Sequence, residues 1–384
     1  MARSPAGIYL DHNATCPPLP AALEAAADPD IWANPSSVHR PGQLARHKIE
    51  LARRALATMI GADPKELVLT GSGTESINLG IRGVLEASPR NTIVTSSIEH
   101  EAVRDLTERL EAAGTEVRRI APGTDGIVRA ESVAEALDDT VALVSVMWAN
   151  NETGAIQPAE QIGAACRAAG VPFHCDGTQW VGKMPTDLHE VPIDLLTFSP
   201  HKFGGLKGVG ALAVRRGVRL RPQTPGAQEL GRRGGTENTA GIAAAGAAAQ
   251  ATPTDPGDPT PRDRFESLVL AACPGSHING PTNPAHRLWN TTNLAFPTIE
   301  AEAIVIALSE RGVHASAGAA CSSGSLDPSP VLLAMGVSEA SAHGSVRFSF
   351  GRGSTVSDAE EAARTVAEVV LALGGSSGAL SAPE

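Results

Sequence analysis

Residues that could do chemistry follow two apolar runs of the chain. Asp176 follows the run in VPFHCDGTQ, and Ser199, His201 and Lys202 follow the run in LLTFSPHKFGG. If both runs are parallel strands, these side chains meet at one edge of the sheet, where ligands bind in α/β folds. A lysine amine there can bond covalently to a carbonyl compound, and a carboxylate can keep a nearby nitrogen protonated.

A third segment, LVLTGSGTESIN, has the pattern of a strand, a turn of small residues and a helix that starts near Thr74. Such a turn directs backbone N–H groups and a helix dipole at an anion, typically a phosphate. This turn, Asp176 and a lysine 26 residues further on form the set that pyridoxal phosphate requires. Taken singly, each has a structural interpretation: GSGTES as a capping box, Asp176 as a turn residue and Lys202 as a solvated lysine.

The elements that must position these residues are predicted from apolar runs that alternate with amphipathic stretches. The clearest helical pattern runs from Gln43 to Ile60, with apolar residues along one face. Strands and helices that alternate at this spacing favour a mainly parallel sheet with helices on both faces. The predicted strands are Glu66–Thr70, Thr92–Ser96, Glu116–Ile120, Val141–Met147, Val171–Cys175, Leu195–Ser199 and Gly210–Val214.

The pattern changes at the proline-rich segment Ala251–Asp263, which we interpret as a linker. The order that follows is typical of a smaller α+β domain. We expect a large cofactor-binding domain over 15–250 and a small domain formed by 1–14 and 264–384, so the predicted fold class is α/β with a second, smaller domain. The elements predicted for the small domain are a strand at Trp289–Ala295, a helix at Glu300–Arg311, a strand at Ser345–Phe350 and a helix at Ser357–Leu373.

Composition excludes several classes of function. The 384 residues carry a formal net charge of −11, which argues against direct, sequence-independent binding to nucleic acid. No apolar run is long enough to span a membrane, and MARSPAGIYLDHNAT lacks the apolar stretch of a secretory signal. The five cysteines form no CxxC pair and no disulfide spacing, so a cytoplasmic location is expected and a metal site is not.

The sequence resembles the cysteine desulfurases of the class V aminotransferase family, which are fold-type I pyridoxal-phosphate enzymes. The resemblance extends from YLDHNATCP at Tyr9 to SVRFSFGR at Ser345. The motifs that carry it lie in the family's order and with similar spacing: ANPSSVHRPG, GSGTESIN, SSIEHEAV, WANNETG, FHCDGTQWVGK, FSPHKFGGLKG, RRGGTEN and SAGAACSSGS. The activity that this resemblance implies is removal of sulfur from L-cysteine, which gives L-alanine and a persulfide on the enzyme.

The resemblance assigns the cofactor contacts motif by motif. Lys202 would carry pyridoxal phosphate as a Schiff base, Asp176 would pair with the pyridinium nitrogen, and Gln179 would hydrogen-bond the phenolic oxygen. His100 would stack on the ring and assist proton transfer; without the resemblance it would be interpreted as a helix-capping histidine. The residues expected to hold the phosphate are Gly73, Thr74, Ser199 and His201, joined by Thr236 of the partner subunit in a homodimer.

The resemblance also implies a site for the substrate carboxylate. Asn151, which is expected to contact the cofactor as well, and Arg347 would bind the carboxylate, with Asn34 as a further contact. A guanidinium suits a carboxylate because it can donate two parallel hydrogen bonds. The structural alternative for Arg347 is a surface salt bridge. Arg352, five residues further on, is a weaker candidate for the same role.

Cys321, in the small-residue stretch ASAGAACSSGS, is the sulfur acceptor that the resemblance implies. Its thiolate would attack the substrate sulfur, hold it as a persulfide and deliver it to an acceptor protein. Glycines at 318 and 324 would permit that movement. The structural alternative is a spare loop cysteine. The cysteines interpreted as structural are Cys16, Cys166, Cys175 and Cys273.

The acceptor itself is left open by the sequence. The distance from Cys321 to Arg347 resembles the family branch with an extended cysteine loop, which supplies sulfur for iron–sulfur cluster assembly, transfer-RNA thiolation or DNA phosphorothioation. One departure from the family is TPGAQELG, with Pro225 and Ala227 in a run that is usually richer in glycine. The alternatives are a selenocysteine lyase, a sulfur donor dedicated to one pathway, and a non-catalytic scaffold with the same fold.

Overall fold

A computed structural model describes residues 7–317 and 327–377 of the chain. The strands within these ranges are β1 Ile8–Tyr9, β2 Leu67–Thr70, β3 Thr92–Ser96, β4 Glu116–Ile120, β5 Val141–Ser145, β6 Phe173–Asp176, β7 Leu195–Phe198, β8 Gly210–Val214, β9 His277–Ile278, β10 Thr291–Ala295, β11 Val313–His314, β12 Ser316–Ala317 and β13 Ser345–Ser349. The helices are α1 Pro20–Ala26, α2 Arg40–Met59, α3 Gly73–Ala87, α4 Glu101–Ala112, α5 Ala130–Glu135, α6 Ala159–Ala169, α7 Thr239–Ala251, α8 Thr260–Ala272, α9 Ala301–Glu310, α10 Pro330–Ala334, α11 Glu339–His343 and α12 Val356–Ser377.

The largest sheet in the described residues has the strand order β2-β8-β7-β6-β5-β3-β4. Strands β4, β3, β5, β6 and β7 are parallel, and β8 is antiparallel to both of its neighbours. Strand β2 therefore runs in the same direction as β7. Because their directions agree, the carboxyl ends of β2, β3, β5, β6 and β7 lie at one edge of the sheet, and the segments that follow them meet there.

The seven strands predicted for this sheet are confirmed, with ends that differ by at most two residues. Strand β5 ends at Ser145 rather than Met147, and β6 covers Phe173–Asp176 rather than Val171–Cys175. The long helix predicted at Gln43–Ile60 is α2, which begins three residues earlier. Strands β2, β3, β5, β6, β7 and β8 are buried along their whole length, which is typical of a sheet with helices on both faces. The α/β fold class is therefore correct.

A second, antiparallel sheet has the order β12-β13-β10-β9, and the short strands β1 and β11 pair in parallel beside it. The two strands and two helices predicted for the small domain are all present, as β10, β13, α9 and α12. Helices α8, α9 and α12 cover this sheet through a separate apolar core that includes Phe265, Leu294, Phe348 and Val366. Leu10, close to the start of the chain, packs in the same core.

The connection between α7 and α8 is shorter than the linker predicted at Ala251–Asp263, because α8 already begins at Thr260. Pro261 lies in the first turn of α8, where the missing N–H of proline costs no intrahelical hydrogen bond. Its neighbour Arg262 is buried and donates from Nη1 to the Leu288 carbonyl at 2.5 Å. The proline-rich composition thus covers both a connection and the start of a helix.

The division into 15–250 and 1–14 with 264–384 remains a proposal. Two of the described apolar clusters fill the large sheet's faces, and a third lies under the antiparallel sheet. The residues that depart from this division belong to the predicted small domain but pack in the main cluster of the large sheet: Val331, Leu332, Met335 and Ala342. Among the described residues, no helix combines the length and the apolar character needed to cross a membrane.

Candidate active site

A pocket of about 320 Å³ opens at the shared carboxyl edge of the large sheet. Segments that follow β2, β3, β5, β6 and β7 line it, together with Lys207–Val209 just before β8. In the pairing of β6 with β7, Asp176 lies opposite Thr197, so Asp176 and the residues after Phe198 reach the same edge. The predicted site residues that line the pocket are Gly73, Thr74, His100, Asn151, Asp176, Gln179, Ser199, His201 and Lys202.

The turn between β2 and α3 forms one end of the pocket. Ser72 caps α3 and accepts from Glu75 N at 3.1 Å, while Glu75 Oε2 accepts from Gly71 N at 2.7 Å. The capping interpretation of this segment is therefore right for Ser72, and Gly73 and Thr74 line the pocket in addition. A Cβ on Gly73 would lie 3.5 Å from Ser199 Cβ, within the space between the two segments. This space, at a helix N-terminus, is suited to an anion.

Lys202 follows β7 in a short 3₁₀ turn that covers Pro200–Phe203. Its Nζ donates to the backbone carbonyls of Asn13 at 2.6 Å and Ala14 at 2.8 Å. The segment that contains Asn13 and Ala14 therefore holds the amine of Lys202. His201, next to Lys202, bonds through Nδ1 to Thr15 Oγ1 at 3.0 Å, which fixes its ring on the same segment.

Asp176 and His100 both line the pocket. Asp176 is 5% exposed, and its Oδ1 accepts from Thr178 N at 2.9 Å. His100 Nδ1 accepts from Ala102 N at 3.1 Å, so His100 is the helix-capping residue of α4 that the structural interpretation predicted. The residue also lines the pocket. Burial lowers the pKa of His100, while Asp176 acts in the opposite direction. With Nδ1 an acceptor, a neutral His100 carries its proton on Nε2.

Asn13 and Lys183 are two residues of the site that sequence reasoning missed. Gln179 Nε2 donates to Asn13 O at 3.0 Å, and Lys183 Nζ donates to Gln179 Oε1 at 2.5 Å and to Asn13 Oδ1 at 2.6 Å. Both residues lie in motifs that carry the family resemblance, YLDHNATCP and FHCDGTQWVGK. Their place in these motifs could have marked both residues as candidates, but the sequence alone does not show which residues they hydrogen-bond.

Arg347 lies in β13, at the junction of the two sheets, and its side chain is 3% exposed. Nη2 pairs with Asp11 Oδ1 at 2.7 Å, and Nη1 donates to Asn151 O at 3.2 Å. It does make a salt bridge, but a buried one beside Asn151 rather than one at the surface. Arg347 Nε and Asn151 Oδ1 are buried without a hydrogen-bond partner among the described residues. Such atoms are costly unless a ligand satisfies them.

Glu152, adjacent to Asn151, is a further residue that sequence reasoning did not single out. It is buried, and its Oε2 accepts from Ser329 Oγ at 2.6 Å. Ser329 caps α10, so this bond ties the turn that carries Asn151 to the chain just after the segment 318–326. Burial raises the pKa of Glu152 to about 7.

The remaining predicted site residues do not line the pocket. Asn34 is exposed and accepts from Ser36 N at 2.9 Å, and Thr236 is exposed as well. Arg352 lies elsewhere: it donates to the Asp255 carbonyl at 2.7 Å, and its guanidinium carbon is 5.7 Å from the Trp289 ring centre. Cys321 lies outside the residues that the structure describes.

These features fit pyridoxal phosphate. The space beside Gly73 at the amino end of α3 suits a phosphate, and Asp176 is a buried carboxylate that can pair with a ring nitrogen. Lys202 offers an amine at the same pocket. Arg347 Nε and Asn151 Oδ1, which have no partner among the described residues, belong to two side chains joined by the hydrogen bond from Arg347 Nη1 to Asn151 O, and an amino-acid substrate could satisfy them.

Comparisons with known proteins agree with this geometry. The model of the aminotransferase class-V family matches residues 8–361. A cysteine desulfurase from Nostoc sp. is 41% identical over 372 residues, which cover 94% of this chain and 92% of the relative. A solved NifS-like protein is 31% identical with a TM-score of 0.87, over 96% of this chain and all of that one. A structure described as SspA in complex with cysteine is 34% identical with a TM-score of 0.79, over 89% of this chain and 98% of that one.

The chain therefore belongs to the aminotransferase class-V family, whose members depend on pyridoxal phosphate. Within that family it is a cysteine desulfurase, an enzyme that transfers sulfur. This excludes the non-catalytic scaffold that the sequence had left open.

Proposed function

We propose that the pocket holds pyridoxal phosphate with its phosphate beside Gly73 and Thr74. Ser199 and His201, which line the same pocket, would add hydrogen bonds to it. Asp176 would pair with the ring nitrogen, Gln179 with the phenolic oxygen, and His100 would lie against the ring. The observation that carries this proposal is the convergence of these residues with Lys202 at one sheet edge.

When bound, pyridoxal phosphate withdraws electrons from the substrate's Cα, which makes the Cα proton acidic and allows the neighbouring C–S bond to break. Lys202 Nζ would take that proton and return it. The Asn13 and Ala14 carbonyls accept hydrogen bonds from Lys202 Nζ, which holds the amine at the pocket. His100 would hold a second transferable proton at Nε2, since Ala102 N occupies its Nδ1.

Arg347 and Asn151 would orient the substrate, L-cysteine, by its carboxylate. Arg347 Nε, which is unpaired among the described residues, can donate to the carboxylate, while Asn151 would donate from Nδ2 because its unpaired Oδ1 only accepts. Asp11 fixes the guanidinium through Nη2. A guanidinium that is already positioned loses little side-chain entropy when it binds a carboxylate. This arrangement would set the substrate sulfur on the side of the pocket that faces the small domain.

Cys321 would accept the sulfur. Its thiolate attacks the substrate sulfur, an S–S bond forms, and the C–S bond breaks with its electron pair left on carbon. Two protons then complete L-alanine, and the sulfur remains as a persulfide on Cys321. The Glu152–Ser329 bond supports this assignment because it fixes the chain that follows the 318–326 segment next to Asn151.

The test is to incubate the protein with cysteine and a thiol reductant and to quantify alanine and sulfide together. We expect equal amounts from the wild type and neither product from Cys321→Ser, which should still bind the cofactor. Cys273→Ala is the matched control, because Cys273 is buried in the small-domain core, and it should retain activity. Full activity of Cys321→Ser would overturn the role proposed for Cys321.

We also infer a homodimer. Among the described residues, the most exposed large apolar side chains are Val38 at 89%, Trp32 at 79% and Leu230 at 71%. In sequence, Trp32 and Val38 lie on either side of Asn34, and Leu230 lies shortly before Thr236; both Asn34 and Thr236 are exposed in the single chain. A second copy packed over these residues would cover the apolar groups and bring Thr236 to the partner's pocket. Light scattering should give the dimer mass, and Leu230→Asp should lower it to that of a monomer.

The persulfide would pass to an acceptor protein in the cytoplasm, such as an iron–sulfur scaffold, a transfer-RNA thiolation enzyme or a DNA-phosphorothioation protein. The net charge of −11 favours a protein acceptor over direct contact with nucleic acid. Radiolabelled sulfur from cysteine should therefore appear first on the enzyme and then on one of these proteins. Transfer from the Cys321→Ser variant would contradict this route.

A further inference from the structure

A buried lysine lies directly behind the cofactor pocket. Lys183 is 4% exposed, and its ammonium group is enclosed by Gln179 and Asn13. Lysine is rarely buried, because moving its charge out of water is costly. Lys183 does not itself line the pocket, so the cost of burying it calls for a function other than direct contact with the reacting atoms.

The surroundings of Lys183 lower the pKa of its amine, so part of the population is neutral near pH 7. Burial, together with the positive charges of Lys202 and Arg347, lowers the pKa of Lys183 to about 7, whereas Cys16 acts in the opposite direction. Whether charged or neutral, its Nζ still has hydrogen atoms to donate to Gln179 Oε1 and Asn13 Oδ1. The two hydrogen bonds are therefore kept across the neutral pH range.

The hydrogen bond from Lys183 to Gln179 favours one of the two orientations of the Gln179 amide, the one with Oε1 towards Lys183. The two ends of a glutamine amide have the same shape, so their order is set by their partners. Lys183 can donate but the ammonium cannot accept, so it takes the Oε1 end. Nε2 then lies on the other side, where one of its hydrogens goes to Asn13 O and the second remains for a ligand in the pocket that Gln179 lines.

We propose that Lys183 is a positioning residue of the cofactor site, which fixes the Gln179 amide so that Nε2 donates to the phenolic oxygen of pyridoxal phosphate. This inference rests on the proposed function, because it takes the role of Gln179 from there. Lys183 does not touch the cofactor; it acts through Gln179. Asn13 completes the arrangement, because it accepts from both Lys183 and Gln179.

The consequence is a measurable effect on the covalent bond between Lys202 and the cofactor. A donor at the phenolic oxygen stabilises its anionic form, so the proton shared with the Lys202 nitrogen is held less tightly. If the amide loses its fixed orientation, that proton is held more tightly. The midpoint of the pH titration of the bound cofactor's visible absorbance then rises.

The test is this titration on cofactor-loaded protein. Lys183→Met removes the donor with little change of volume, and the midpoint should rise by about half a unit to one unit, the equivalent of one hydrogen bond. Lys183→Gln should shift it in the same direction by less, because either end of the new amide can pair with Gln179. Lys65→Met, at an exposed lysine, is the control and should leave the midpoint unchanged.

A double variant separates action through Gln179 from a general effect of the lost charge. In a Gln179→Leu background, Lys183→Met should cause no further shift, because there is no amide left to orient. An equal shift in both backgrounds would overturn the proposal, and so would an unchanged midpoint in Lys183→Met. If Lys183→Met does not fold, the Lys183→Gln pair in both backgrounds gives the same decision.

The outcome also distinguishes this inference from the proposed function. If the wild type has a pH-dependent cofactor absorbance that Lys202→Ala lacks, the assignment of Lys202 stands whatever Lys183 does. If Gln179→Leu alone leaves the midpoint unchanged, the role of Gln179 is wrong and this inference fails with it. If Gln179→Leu raises the midpoint but Lys183→Met does not, only the role of Lys183 is overturned.

Discussion

The proposed cofactor end and the proposed substrate end of the active site are built differently. At the cofactor end, Asp176, His100 and Lys202 follow strands of one sheet, and each bonds to a backbone group of this chain. At the substrate end, Arg347 and Asn151 come from different sheets, and each keeps a buried polar atom unpaired among the described residues. A bound cofactor stays through many turnovers, so its site can be complete in advance. A substrate must come and go, so its site retains groups that only the substrate satisfies.

The largest effect is expected at the cofactor end. Lys202→Ala should abolish alanine formation and the covalent cofactor absorbance together, because it removes the amine that the Asn13 and Ala14 carbonyls hold at the carboxyl edge. Absorbance spectra and an alanine assay measure the two. Lys65→Ala, at an exposed lysine, is the control. Residual covalent attachment in Lys202→Ala would break the comparison, since another residue would then serve the cofactor end.

The Glu152→Gln variant tests the turn next to Asn151, through the pH dependence of the free energy of unfolding. Burial raises the pKa of Glu152 from 4.5 to about 7, while Ser329, Arg347 and Arg104 act in the opposite direction. The protonated form therefore favours the folded state: this contribution is complete below about pH 4.5 and is lost as the pH rises through about 7. Glutamine stays neutral and keeps a partner for Ser329.

The free energy of unfolding, measured with denaturant at several pH values, should therefore rise in Glu152→Gln relative to the wild type between pH 4.5 and pH 7. The relative gain should be on the order of 3 kcal/mol and level off above pH 7. Glu131→Gln, at an exposed carboxylate, should show no such pH dependence. A difference that does not vary with pH would mean that Glu152 stays ionised in the folded protein.

The smallest of these effects is expected at the substrate end. Arg347→Ala should raise the KM for cysteine about 10- to 150-fold, equivalent to loss of a charge-assisted hydrogen bond of roughly 1.5–3 kcal/mol. The value of kcat should change less, and the cofactor absorbance should be unchanged. Arg352→Ala, whose guanidinium lies near Trp289 instead, should leave KM unchanged. A loss of cofactor in Arg347→Ala would show that the two ends are not separate.

Most of the fold, and the convergence of Asp176 and Lys202 at one pocket, could be predicted from the sequence, because both depend on local patterns. Buried strands such as β6 and β7 are continuous apolar runs, and the residues that follow them must reach the sheet edge. Asn13, Lys183 and Glu152 were missed because their roles depend on partners far away in sequence. The start of α8 was misjudged because proline in a first helical turn has the same composition as proline in a linker. Asn34 and Thr236 are exposed here, because a single chain lacks the copy that we propose would cover them.

Asn13 also bears on how the enzyme matures. Its backbone N–H donates to Ser349 Oγ at 2.9 Å, its Nδ2 to Asn151 O at 3.0 Å, and its carbonyl holds Lys202. A residue near the amino terminus thus reaches its final position only when β13, more than three hundred residues later, has been synthesised and folded. During synthesis, the contacts through which Asn13 holds Lys202 are therefore completed only after β13 is available to pack against Asn13. The order of synthesis thus places the final arrangement of this lysine after the folding of the second sheet.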